Sequence, residues 1–159
     1  MKIFLSHQKA DSVMALRIQS YLSITHEIDC YLDVIDSSIN DGEDIAMHVR
    51  SELGKCTQLL VVVSEETKKS WWVPWEIGLA TEKDYPLATF GGSVDLPEYL
   101  KKWPYLSNVS DLDKYAEASK ETSKRGLTAS MESVSSDSVI VRRNATKYFY
   151  KSLRAKLGQ

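Results

Sequence analysis

QLLVVVS, residues 58–64, sets five consecutive apolar residues, Leu59 to Val63, between a glutamine and a serine. The run neither alternates, as a half-exposed strand would, nor repeats at helical spacing. A short stretch that is apolar on both faces suits an interior strand of a parallel sheet covered by helices on both sides. The sequence around it agrees. KIFLS (2–6) reads as a first strand, followed by Ala10, Met14, Ile18, Tyr21 and Leu22 at helical spacing. IDCYLDVI (28–35) reads as a second strand, DSSINDGED (36–44) as a loop, and Ile45, Val49 and Leu53 as the stripe of a helix ending at Gly54. Past the central run, residues 70–83 supply a further helix and PLATFGG (86–92) a fourth strand.

Strands alternating with helices predict an α/β fold, a flavodoxin-like, doubly wound parallel sheet of about five strands. In the last third, LPEYLKKWP (96–104) reads as a short helix and YLSNV (105–109) as an edge strand. Ser110 and Asp113 have the spacing of a capping box that would open a helix carrying Leu112, Tyr115 and Ala116. Ser119 to Ser138 is crowded with Ser and Thr and reads as a linker or marginal helix. Ala145, Phe149, Leu153 and Leu157 then form the stripe of a closing basic helix. The expected organisation is a domain over 1–117 and, over 118–159, a Ser/Thr-rich linker with a C-terminal amphipathic helix.

Composition narrows the function classes. At 159 residues the chain has room for one domain with a sizeable core. A formal charge of −2 argues against a general nucleic-acid binder. Charge is unevenly placed: Val139 to Gln159 holds six Lys and Arg and no acid, against 14 basic and 22 acidic residues elsewhere. The basic tail either meets the acidic body or stands as a solvated amphipathic face. Cys30 and Cys56 have no CxxC or histidine at ligand spacing, which points away from a disulfide framework and from zinc. MKIFLSH has too short an apolar run for a signal peptide, and no stretch nears the ~18 residues of a membrane span, so a cytoplasmic location is expected.

No GxGxxG follows the first strand and no GxxxxGK[ST] occurs, so the usual phosphate-cradling loops are absent. His7, His26 and His48 share no metal spacing, and Ser64 lacks the glycines of a nucleophile elbow, so no metal and no catalytic serine are expected. In open α/β sheets ligands sit outside the carboxyl ends of the strands. Those ends are Ser6 and His7, Asp33 to Asp36, Ser64 and Glu65, and Phe90 to Gly92. SWWVPWEIGLA (70–80) stands out, with three of the four tryptophans around one proline and one acid. Two readings are open for Glu76: a helix-capping carboxylate two residues after Pro74, or a carboxylate aimed at a flat cationic ligand beside an indole wall.

IFLSHQKAD (3–11) resembles the first strand and loop of Toll/interleukin-1 receptor (TIR) domains, which in bacteria often read F-[IL]-S-H-x-x-x-D. YLDVIDSSINDGEDI (31–45) is similar to that family's second strand and following loop. LLVVVSEETKKSWWVPWEI (59–77) resembles its third strand and S-x-W-x-x-x-E box, with Ser70, Trp72 and Glu76 in register. The resemblance covers roughly residues 1–117 and carries a TIR fold.

TIR domains are either adaptors that assemble through their surfaces or enzymes that break the nicotinamide–ribose bond of NAD⁺. The resemblance implies Glu76 as the catalytic carboxylate and Trp72 as the indole stacking on nicotinamide. It puts Ser6, His7, Asp36 and Ser38 at the rim of the pocket. Trp71, Pro74 and Trp75 depart from the common pattern, so three indoles compete for the place beside the pocket. NAD⁺ would be substrate, with no resident cofactor. As a stand-alone domain the chain resembles the signal-generating TIR component of bacterial antiphage Thoeris systems. That implies a phage-derived trigger, self-association in which residues 36–44 complete a neighbour's pocket, and a downstream effector reached by the nucleotide product. A non-enzymatic scaffold and a nucleoside (deoxy)ribosyl hydrolase or transferase are the alternatives.

Overall fold

The computed structural model describes residues 1–32, 42–92, 95–132 and 138–159. Five strands form its sheet: β1 (Lys2–Ser6), β2 (Asp29–Leu32), β3 (Gln58–Val62), β4 (Leu87–Phe90) and β5 (Tyr105–Leu106). They lie in the order β2-β1-β3-β4-β5, and every pairing is parallel. The chain begins at an interior strand, steps out to β2, then crosses back over β1 to reach β3, which makes the sheet doubly wound. Five helices connect and flank the strands: α1 (Ser12–His26), α2 (Gly42–Gly54), α3 (Trp72–Glu82), α4 (Asp111–Glu132) and α5 (Ser138–Leu157).

Side-chain alternation along the strands divides the core in two. Ile3, Leu5, Leu60, Val62, Ala88 and Phe90 face a layer made by α1, α4 and α5. Phe4, Leu59, Val61, Val63 and Leu87 face the opposite layer, made by α2 and α3. Every residue from Gln58 to Val63 is buried. The central run is apolar on both sides because helices cover both sides.

At the carboxyl edge the backbone of β4 closes on β3. A Cβ added at Gly91 would lie 3.0 Å from the Val63 carbonyl, and Gly92 has φ +58°, so glycine suits both positions. At the outer edge the Gln159 side chain accepts from the Tyr105 N–H at 3.1 Å and donates to its carbonyl at 2.6 Å. That amide satisfies edge-strand groups as another strand would.

One expectation for the last third is corrected, and one of two open readings is seen. The capping box at Ser110 does not form: Ser110 donates to the Asn108 side chain, which also accepts from the Asp111 N–H, and Asp113 turns instead toward α1. There its carboxylate accepts from Tyr21 Oη and pairs with His26 Nε2, each at 2.8 Å. The Ser/Thr-rich stretch is helical as far as Glu132, and α4 runs unbroken through the boundary expected at 117. Two of its described hydroxyls find partners on the helix itself or in the core. Thr122 Oγ1 donates to the Ala118 carbonyl at 2.7 Å, and Ser119 Oγ to the buried Gln58 Oε1 at 2.8 Å.

Helix α5 is part of the core, with Phe149 and Leu153 fully buried and Phe149 edge-on to Tyr115. Of the two expectations for the basic tail, the contact with acidic residues is the one seen. Lys156 bridges Glu117 and Glu121 of α4, and Arg143 reaches Asp84.

Candidate functional site

The site is built where α3 passes the carboxyl end of β1. Ser70 Oγ accepts from the Val73 N–H at 3.3 Å and so closes the amino end of α3. The helix begins at Trp72, two residues earlier than a Pro74 start would put it. Pro74 is its third residue, among the first four positions whose N–H groups lack an intrahelical partner, so the missing donor costs nothing there. Glu76 is the fifth residue and lies beyond the first turn, which holds no acid. The capping reading of Glu76 is therefore corrected.

Glu76 is 1% exposed and its Oε2 accepts from the hydroxyl of Ser6, itself fully buried. The two residues lie 70 positions apart in sequence. The contact places a carboxylate from α3 against the last residue of β1, in the crevice where open α/β sheets bind ligands. The bond from Ser6 fixes the direction of that carboxyl group.

His7 follows Ser6 and is half-buried, its Nδ1–H donating to the Leu5 carbonyl at 3.2 Å. That bond sets the ring's orientation and, in the neutral imidazole, leaves Nε2 as the acceptor. The three indoles differ sharply. Trp71 is 90% exposed, Trp75 packs against the core layer formed by α2 and α3, and Trp72 is half-buried and edge-on to Trp75 at 5.4 Å. Asp36 and Ser38 lie outside the described residues.

A pair that the candidate residues did not include braces the same edge. Ser64 Oγ donates to Asp11 Oδ2 at 2.9 Å and accepts from the Glu66 N–H, tying the loop after β1 to the loop after β3. The signal for Asp11 was its place as the last letter of the first motif. Ser64 read only as a strand end. The other two histidines have structural partners: His26 pairs with Asp113, and His48 Nε2 accepts from Tyr31 Oη at 3.1 Å. Two open depressions of about 560 and 590 Å³ on the described surface are lined by neither Ser6, Trp72 nor Glu76.

Comparison with known proteins bears on the family. A curated relative, "Probable 3' cyclic ADP-D-ribose synthase ThsB'" of Bacillus cereus (strain MSX-D12), is 26% identical over 117 residues. The match takes in 66% of this chain and spans 60% of the length of that relative. Among solved structures, the TIR domains of the activated Roq1 resistosome, described as directly recognizing the pathogen effector XopQ, align at a TM-score of 0.47. Identity there is 17%, with 99% of this chain and 97% of the other covered. The TIR domain family profile matches residues 3–120, which takes in all five strands, the Ser6–Glu76 pair and the Asp11–Ser64 brace. The chain belongs to the TIR domain family.

Proposed function

We propose that the protein cleaves the nicotinamide–ribose bond of NAD⁺ and releases nicotinamide with ADP-ribose or a cyclic ADP-ribose isomer or adduct. One observation carries the reading: the buried Glu76 carboxylate, engaged by Ser6 at the carboxyl end of β1. The name of the Bacillus relative, a probable cyclic ADP-ribose synthase, supports the same chemistry.

As the C–N bond breaks, its electron pair leaves with the nicotinamide nitrogen, which becomes neutral, and positive charge develops on the ribose. Glu76 stabilises that oxocarbenium-like charge and holds the ribose hydroxyls, while Ser6 holds Glu76 in place. Trp72 stacks on the pyridinium, a cation–π contact worth ~0.5–2 kcal/mol. His7 orients the ribose or diphosphate, and Asp36 and Ser38 complete the rim. No general acid is required at the leaving base. Capture by water gives ADP-ribose and a proton, and capture by an internal hydroxyl or the adenine closes a ring.

In the same reading the enzyme acts in the cytoplasm, where Cys30 and Cys56 stay free. Among the described residues no helix is long and apolar enough to cross a membrane. The enzyme works in antiphage defence of the Thoeris type. A phage-derived trigger promotes self-association, residues 36–44 complete the pocket of the adjoining subunit, and the product reaches a separate effector.

The test is incubation of concentrated full-length protein with NAD⁺, with products resolved by chromatography. Nicotinamide release that rises in specific activity with protein concentration and disappears in Glu76→Ala is expected. No turnover in assembled protein would favour the scaffold, and base release from deoxynucleosides would favour the nucleoside hydrolase or transferase.

A further inference from the structure

We infer that the amino edge of the sheet carries a second, non-catalytic ligand site, built for a small carboxylic acid with an apolar body. It is separate from the Glu76 site, since Gln58 lies beside Ile3 and Ser6 is three residues further along β1, roughly 10 Å at the usual rise per residue. The cavity of about 590 Å³ opens where β3 begins, between the turn leading into β4 and the facing sides of α4 and α5. That volume falls within the range of small-molecule pockets.

Its floor is Gln58, 2% exposed. The Gln58 Oε1 accepts from Tyr115 Oη at 3.2 Å and Ser119 Oγ at 2.8 Å, which orients the amide so that its NH₂ faces the other way. That NH₂ donates to the sulfur of Met1 at 3.4 Å, and Ser123 Oγ donates to the same sulfur at 3.2 Å. A thioether is a weak acceptor. Two donors thus converge on an atom that binds them poorly, on a side chain that is 40% exposed. An oxygen brought to that point would satisfy both donors far better.

The charge of the lining selects the kind of oxygen. Lys55 and Arg142 line the cavity, with no Asp or Glu among the lining residues, in a chain whose net charge is −2. Lys55 is paired with Glu52, whereas Arg142 is in no salt bridge among the described residues and is placed to meet an incoming anion. It is held at the rim by a 3.4 Å bond to the Lys83 carbonyl and lies 5.9 Å from the centre of the Tyr85 ring.

The rest of the wall is apolar, including Leu127, Val141 and Ala145. Burial pushes the Cys56 thiol up to about 11, so it too lines the site as a neutral, unreactive group. On α4 the wall is Gly126, where an added Cβ would meet no atom within 4 Å. Glycine is unfavourable inside a helix, and here it leaves open space where any other residue would project a side chain. A carboxylate replaces the Met1 sulfur between Gln58, Ser123 and Arg142, and its alkyl or aryl body lies along Leu127, Val141 and Ala145.

The test uses the full-length protein, ¹⁵N-labelled, titrated with sodium octanoate as probe and with 1-octanol as the uncharged comparison. Saturable shifts are expected at the Gln58 side-chain amide and at the backbone amides of Ser123, Gly126 and Leu127. Octanol should bind about tenfold or more weakly, Arg142→Glu should weaken octanoate by a similar factor, and Ala145→Phe should abolish the shifts by filling the cavity. Both variants lie on α5 away from Glu76, and their melting temperatures establish that they fold. The absence of a saturable shift at Gln58 at millimolar octanoate would overturn the inference. Equal binding of octanol, or octanoate affinity unchanged in Arg142→Glu, would overturn it as well. The readout requires no NAD⁺ turnover, so it stands or falls apart from the proposed activity.

Discussion

Replacing Glu76 by Gln separates a catalytic carboxylate from a structural one, because the two roles move activity and stability in opposite directions. The substitution keeps the shape of the side chain, and the amide oxygen still accepts the Ser6 hydroxyl. It removes an ionisable group from a position only 1% exposed, where the charged form would cost several kcal/mol to desolvate. A structural salt or hydrogen-bond partner lost at such a site lowers stability, whereas a charge kept for chemistry is a burden on the fold that its removal relieves. The expected outcome is a melting temperature unchanged or raised by a few degrees, since 1 kcal/mol shifts Tm by about 2–4 °C at this chain length. NAD⁺ turnover should fall by on the order of 10²–10³, the loss of ~2.7–4 kcal/mol of transition-state stabilisation. Scanning calorimetry or dye-monitored melting gives the first quantity, and chromatographic nicotinamide release per folded molecule gives the second. A fall in Tm of several degrees with turnover per folded molecule intact would refute the catalytic assignment. Ser6→Ala sharpens the comparison: losing a hydrogen bond to a charged group, ~1.5–3 kcal/mol, should reduce turnover by about tenfold or more while leaving the carboxylate itself in place.

The three indoles should separate kinetically. Trp72→Ala is expected to raise KM for NAD⁺ by about 2- to 30-fold through loss of ~0.5–2 kcal/mol of cation–π stacking. Trp71→Ala, at a residue 90% exposed, should leave the kinetics of the isolated subunit unchanged; a reversed pattern would reassign the pocket indole. Phe149→Ala should destabilise the whole domain by ~3–5 kcal/mol, read by urea unfolding, because this α5 ring is fully buried against Tyr115. A loss confined to α5, with the rest of the unfolding transition unchanged, would show that the last helix is an appendage. Asp113→Asn should lower Tm at neutral pH by a small amount, since nearly half of the Asp113 side chain is exposed and its interactions are screened. Hydrogen bonds from Tyr21 and His26 hold the Asp113 carboxyl below its ordinary range, so its contribution is full above that range and is lost as pH falls through the lowered pKa. The Tm gap between Asp113→Asn and the unmodified protein should therefore close on acidification, and a gap that widened instead would contradict the assignment.

Periodicity alone was enough for the architecture. The uninterrupted apolar run at Leu59 to Val63 specified a strand covered on both faces, and the alternation of short runs with helical stripes specified a parallel sheet. These signals are local: each depends on whether side chains a few positions apart share a face. The motifs around Ser6 and Glu76 were legible for the same reason, as residues at strand ends and in a helix after β3. Tertiary structure decided everything that depends on distant partners. Glu76 read as a cap or as a ligand-facing acid, and the cap was set aside only when α3 was seen to start at Trp72 and the carboxylate to meet Ser6, 70 residues away. The stretch after Ser119 read as a linker or a marginal helix because hydroxyl side chains compete with helical hydrogen bonding in isolation. It is a helix because Gln58 takes the Ser119 hydroxyl and α5 packs along its length. Asp113 looked like part of a local cap and instead joins α4 to α1 through Tyr21 and His26. In each case the local pattern allowed two partners for one polar group, and the packing of helices against the sheet left one of them within reach.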